Sequence, residues 1–272
     1  MHKMTPKPIK RGLLRLKLGQ IYFSSKRWLY WVFGDIKFAH RRAEDLLYEH
    51  FTHATPLLRN LKDVDMELQY NKITNLKIAV PKVHMVTIYP GEVFSYWRLI
   101  GVPTIRKGYL KGMVLKNGTF SPGVGGGLCQ LSNLIYWLSL HTPLTVIERH
   151  RHGYDVFPDS DRTQPFGSGA TCFYNYGDLM IRNNTNQGFQ LVLEITDTHL
   201  KGAWMSDVPP SRIYDVYEKE HIIKPEFWGG YTRHNTIFRK VFDLDNILLD
   251  DEFVVENHAI MMYEPLLSDG KI

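Results

Sequence analysis

Only two cysteines, Cys129 and Cys172, occur in 272 residues, so no disulfide framework holds this chain together and at most one bridge is open to it. That count fits a reducing compartment. No run of about 18 apolar residues is present, and no segment therefore reads as a membrane-spanning helix. The basic N-terminus also lacks the short apolar core and small-residue cleavage site of a secretory signal. The expected location is cytoplasmic, with peripheral membrane contact as an open addition. No internal repeat or low-complexity segment is found, which excludes a repeat architecture. Acidic residues are missing from the first 34 positions, and Asp35 is the first of them.

What is present is an ordinary globular composition, 44% hydrophobic and 22% charged, with fifteen Tyr, fourteen Phe and six Trp. Such a chain can bury one large core or two small ones, and aromatics in that number line a core and a cleft rather than a disordered tail. The net charge of +5 is unevenly placed. Lys3, Lys7, Lys10, Arg11, Arg15, Lys17, Lys26 and Arg27 are interleaved with Leu13, Leu14, Leu16, Leu18, Ile21, Tyr22 and Phe23. A stretch of this kind either lies on an anionic membrane face or forms a solvated basic helix packed on the domain. Asp243, Asp245, Asp250, Asp251, Glu252 and Glu256 run without a Lys or Arg among them, and are expected to face that basic start. No nucleic-acid partner is expected.

Apolar positions at helical spacing, including Phe38, Ala39, Ala43, Leu46, Leu47 and Phe51, predict a helical region over residues 27–61. From Met66 the pattern changes to short strand-like runs, Lys77 to Val80 and Val83 to Ile88, closed by a Pro90–Gly91 turn. Asn117 and Gly118 mark a tight hairpin turn. A helix beginning at Cys129 is expected to end at His141, Thr142 and Pro143, and Leu144 to Ile147 follows as a strand. Gly177 and Asp178 turn into a strand over Leu179 to Ile181, and Phe189 to Ile195 alternates as the clearest strand. With one helix interrupting the strands, regular helical crossovers are absent and a doubly wound sheet is disfavoured. The expected fold is α+β. A basic helical N-terminal region (1–65) precedes a strand-rich, mainly antiparallel domain (66–205) with a buried central helix starting near Cys129, and a C-terminal extension (206–272) packs on the same domain.

The triple glycine Gly125, Gly126, Gly127 leads directly into this helix. Consecutive glycines are tolerated where φ is positive or where something approaches the main chain closely. Leu128, Leu131, Ile135 and Leu138 share one helical face, and Cys129, Ser132, Asn133 and Tyr136 another. A first-turn thiol feels the helix dipole, which favours the thiolate, and the free N–H groups there suit an oxyanion, a phosphate or a carboxylate. The plain alternative is a buried cysteine beside a turn that lets the helix pack close. Downstream, extended chain would put His150 and His152 on one face, either of them available as a base, and Arg149 and Arg151 on the other. Asp155, Asp159 and Asp178 are candidate orienting groups, and Gln130 or Asn133 a candidate oxyanion donor. The two histidines with Cys129 or Asp155 would also make a three-ligand zinc site, although His pairs on strands are common without metal. A basic anion-binding loop without chemistry explains Arg149 to His152 equally simply.

The stretch GGGLCQLSN from Gly125 to Asn133, followed by LHTPLTVIER from Leu140 to Arg149, resembles the VanW family. The resemblance extends backward to Pro90, Gly91, Glu92, Phe94, Ser95, Gly101, Gly108 and Tyr109, and forward to His152, Asp178, Leu179, Asn183 and Thr185, covering roughly residues 70 to 205. It implies an accessory role in type B vancomycin resistance or cell-wall metabolism, acting on a peptidoglycan precursor or wall peptide. That role is either a Cys-dependent acyl-transfer or amidase-like reaction, or non-catalytic binding of an anionic cell-wall precursor or lipid head group. On the first reading Cys129, His152, Asp178 and Gln130 are catalytic, and Gly125, Gly126, Gly127, Ser132, Arg149 and His150 bind the ligand. No metal or other cofactor is expected. Two departures stand out: Gly169 where the family usually has Asp, and Gly153 where it usually has Ser after the family His, here His152.

Overall fold

The computed structural model describes residues 12–58, 65–116, 118–156 and 164–264. In chain order the elements are α1 (Leu13–Phe33), β1 (Tyr48–Pro56), α2 (Met66–Val83), β2 (Thr87–Ile88), β3 (Val93–Ser95), α3 (Tyr96–Ile100), β4 (Lys111–Lys116), β5 (Thr119–Val124) and α4 (Cys129–Leu140). They continue as β6 (Thr145–Glu148), β7 (Tyr154–Asp155), β8 (Met180–Arg182), β9 (Phe189–Ile195), β10 (His199–Ser206), β11 (Ile213–Pro225), β12 (Tyr231–Phe242) and β13 (Leu248–Met261). The strands form sheets of order β1-β10-β9-β2, β11-β12-β13-β7 and β3-β8-β6, plus the hairpin β4-β5. Among the described residues every pairing of named strands is antiparallel except β13 with β7. The fold is α+β, strand-rich, with a basic helix at its start.

Helix α4 is central. It packs on β10, β1 and β6, with Leu131, Leu134, Ile135 and Leu138 buried. Gly202 of β10 makes that approach possible, since a Cβ there would stand 2.9 Å from Leu138 and 3.2 Å from Leu134. The Trp204 indole N–H donates to Ser139 Oγ at 3.0 Å, so the polar group of this fully buried ring is satisfied. The helix stops at Leu140, where His141, Thr142 and Pro143 end it as expected.

Two expectations from local pattern fail, each for a non-local reason. Residues 38–51 are not helical. Phe38 bridges Val93, Arg42 bridges Val86, and β1 forms an eight-partner antiparallel edge against β10, so their backbone groups are taken by other chain segments. The strand expected over Lys77 to Val80 lies inside α2. There Asp65 caps the helix by accepting the Glu67 N–H at 2.9 Å, and Leu76, Ala79, Val80 and Val83 bury one face at helical spacing. The acidic run of the C-terminal region also finds its partners at home: Asp251 pairs with Lys219, and Glu252 with Arg239, within the β11-β12-β13 sheet. Asn117 and Asp159, named above for a turn and an orienting role, lie outside the described residues, as do Lys3, Lys7, Lys10 and Arg11.

Candidate functional site

The glycine turn is close-packed by the protein itself. A Cβ at Gly126 would fall 2.2 Å from the Gly112 carbonyl, and one at Gly127 2.2 Å from Lys72 Cγ. Asn75, fully buried, clamps the crossing: its Nδ2 donates to Gly126 O at 2.9 Å and Leu110 O at 3.1 Å, while its Oδ1 accepts the Leu110 N–H at 2.8 Å. The Gly125 and Gly126 amides donate to Leu110 O and Gly123 O. The close approach that three glycines signal is thus backbone on backbone, and two of their amides are already engaged.

The second face of α4 meets residues 169–173, with Ser132 fully buried there, Cys129 half-buried and Asn133 still exposed. Ser132 Oγ donates to Ala170 O at 2.7 Å, and Asn133 Oδ1 accepts the Ala170 N–H at 2.7 Å. The Cys129 thiol contacts the Cys172 carbonyl at 3.7 Å. Burial pushes the Cys129 thiol up, above the ordinary cysteine range, with weaker opposing help from the Cys172 carbonyl and its own backbone. Desolvation therefore outweighs those two hydrogen bonds and favours the thiol over the thiolate. Cys172 is raised further, by its own burial and then by the neighbouring Cys129. Among the described residues no imidazole hydrogen-bonds either sulfur.

The remaining residues predicted for this site are placed apart. Gln130 Nε2 donates to Thr55 Oγ1 at 3.0 Å and Pro56 O at 2.9 Å, which ties α4 to the end of β1. Arg149 donates to Gly169 O at 2.8 Å, to Gly167 O, and to Asn257 Oδ1 at 3.1 Å, and stacks on Tyr136. Its guanidinium is a scaffold for the 167–169 loop. His150 pairs with Glu148 at 2.9 Å, as does Arg27 from α1. Asp178 is buried, with Oδ2 accepting the Ser95 hydroxyl at 2.5 Å and Oδ1 the Trp97 and Leu179 N–H groups at 2.9 Å each. Burial pushes its carboxyl up to about 6, against the pull of Ser95 and Trp97. Its contacts organise the start of α3 and not an imidazole.

His152 alone of the predicted catalytic set lines a cleft, of about 200 Å³, whose walls include Arg151, Asn133, Tyr154, Phe166 and Thr171. The expected alternation of histidines and arginines fails because residues 149–152 form no regular strand, so Arg151 and His152 reach the same cleft. Burial, then the Arg151 charge, lowers the His152 pKa and keeps the ring neutral at pH 7. The guanidiniums of Arg151 and Arg233 lie 3.8 and 4.1 Å from the Phe166 ring centre. Asp155, buried at the cleft floor, accepts from Arg233 at 3.3 Å and from the Tyr263 hydroxyl at 2.8 Å. Phe166 gave no local signal for this site, because its approach to Arg233 depends on β12 meeting the 164–171 loop.

The Gly169 departure also has a local explanation. A Cβ there would stand 2.7 Å from Asn133 Oδ1, so the carboxamide of Asn133 fills the space that a side chain at 169 would need. Gly153 is open, with nothing within 4 Å of its added Cβ. Among the described residues no group of three or more His, Cys, Asp or Glu side chains is arranged to hold a metal ion, so the three-ligand zinc arrangement is not assembled.

A family model described as VanW like protein matches residues 71–205. Over 152 residues the chain is 37% identical to the vancomycin B-type resistance protein VanW of Enterococcus faecalis (strain ATCC 700802 / V583), covering 56% of this chain and 55% of that protein. Over 145 residues it is 26% identical to the uncharacterized protein YoaR of Bacillus subtilis (strain 168), covering 51% and 48%. The chain spans about half the length of these curated relatives. No solved structure matches it significantly. Through residues 71–205, which hold the glycine turn, α4 and most of the cleft wall, this chain belongs to the VanW-like family.

Proposed function

We propose that this protein is an accessory factor of glycopeptide resistance or cell-wall metabolism that binds an anionic cell-wall precursor or wall peptide in the cleft at His152. The relative named for vancomycin resistance supplies the setting. The single observation that carries the binding is the guanidinium of Arg151 lining this cleft beside a neutral imidazole, with Arg233 from β12 bonded to Asp155 of the same wall and stacked with Arg151 on Phe166. A concave site with this charge selects carboxylate or phosphate groups, and Thr171 and Tyr154 add hydroxyls that can position them. A Cys-dependent reaction has less support, because the half-buried Cys129 thiol is held protonated and, among the described residues, has no base bonded to it.

The test is calorimetric titration with a soluble nucleotide-linked muramyl pentapeptide. Binding is expected to weaken with added salt and to survive Cys129→Ala. Arg151→Gln is expected to weaken it about tenfold or more, the scale of one charged hydrogen bond. Binding that ignores salt and Arg151, or turnover that disappears with Cys129→Ala in a folded protein, would replace this reading with the enzymatic one.

A further inference from the structure

Among the described residues, helix α1 is held to the body along one edge. Arg27 donates to Glu148 Oε1 and to Tyr176 O, Asn175 donates to Ser24 O, Phe23 meets the Tyr176 ring, and Trp31 is buried beside Tyr174. Positions 23, 24, 27 and 31 recur at helical spacing, so they define the docked side. The opposite side is apolar and, among the described residues, uncovered. Leu14, Leu18, Ile21, Trp28 and Val32 follow a four-three spacing along it, with exposures of 72, 58, 63, 56 and 49%.

Burying one side of an amphipathic helix normally hides its apolar stripe. Here the body takes Arg27 and Ser24, and leaves the stripe outside. At 3.6 residues per turn, exposed Lys17 borders the stripe on one side and exposed Arg15 and Lys26 border it on the other. No acidic residue occurs anywhere in the helix. The helix carries four charges and is not long and apolar enough to cross a membrane.

We propose that α1 is an interfacial helix that lays this stripe into the surface of an anionic lipid bilayer, with Arg15, Lys17 and Lys26 at the phosphates and the docked edge holding the body above. Charge decides the occupant. A second copy of the helix packed on the same stripe would bring its own cations against these, with no acid to answer them, whereas anionic head groups complement both borders. Trp28 and Tyr22 are the residue types that settle at a head-group boundary.

The full chain is tested by flotation with vesicles of pure phosphatidylcholine and of phosphatidylcholine with 30% phosphatidylglycerol, at low and high salt. Flotation with the anionic vesicles is expected, and little with the neutral ones. Lys17→Glu with Lys26→Glu should weaken it on the order of tenfold, and Leu18→Glu with Trp28→Glu should abolish it. These side chains are exposed, so circular dichroism of each variant should stay unchanged. Phe227→Glu, at an exposed apolar residue away from α1, should float as the parent does. Equal flotation with neutral vesicles, or flotation that survives Leu18→Glu with Trp28→Glu, overturns the proposal. So does a salt-stable dimer that the same pair converts to monomer, which would assign the stripe to a second copy.

Discussion

Replacing Asp178 separates a carboxylate that organises the fold from one that serves a reaction. Its two oxygens receive three hydrogen bonds, from Ser95 Oγ, Trp97 N and Leu179 N, in a fully buried setting. Desolvation lifts its pKa to about 6 in the folded protein, from an ordinary 3.8. The sign follows from proton counting. Between roughly pH 4 and pH 6 the folded state keeps a proton that the unfolded state has lost, so rising pH withdraws stability, by about 3 kcal/mol across that window. Asp178→Asn keeps an oxygen for Trp97 and Leu179 and an N–H for Ser95, and carries no charge to desolvate. Measured by urea unfolding at intervals from pH 4 to 7.5, the Asn variant should gain on the wild type by about 3 kcal/mol as pH rises, and then level off. Asp178→Ala leaves two backbone donors and a hydroxyl unpartnered and should cost about 3 kcal/mol or more at every pH. A stability difference between wild type and Asn that is flat with pH, or that runs the other way, would refute the desolvation argument and make ionised Asp178 a stabilising charge.

Two glycine positions and the half-buried thiol lead to three further outcomes. Gly126→Ala should cost at least about 2–3 kcal/mol in chemical denaturation, because the new methyl meets the Gly112 backbone and has no flexible neighbour to displace. Gly153→Ser, with open space around it, should stay within about 0.5 kcal/mol of the parent. Alkylation of Cys129 in a Cys172→Ser background should be slow, with a pH midpoint above the free-thiol value of about 8.5 and no response to His152→Ala. A midpoint below that value, moving upward when His152 is removed, would restore the nucleophile.

The sequence by itself determined the features whose signals are local. Helix α4 starts at Cys129 and ends before His141 because a glycine turn, an apolar period and a terminating proline lie within a few residues of one another. Strand β9 occupies Phe189–Ile195 as its alternation requires, and β6 and β8 fall within a residue of expectation. The glycine motif likewise marked the family on inspection alone, since close backbone packing tolerates little else there.

Only the tertiary structure decided what those residues do. Residues 38–51 have helical spacing but are not helical, because Val93, Val86 and β10 supply pairing partners that no local window contains. Lys77 to Val80 reads as strand but is helix, because burial of Leu76, Ala79 and Val83 outweighs weak intrinsic preference. The candidate site was legible as a set of residue types and not as a place. Gln130, Arg149, His150 and Asp178 each spend their polar atoms on a different backbone segment or acid, and His152 reaches the cleft with Arg151. Hydrogen-bond partners and burial are properties of segments far apart in the chain, and it is these that turn a reactive-looking cysteine into a protonated, half-buried one.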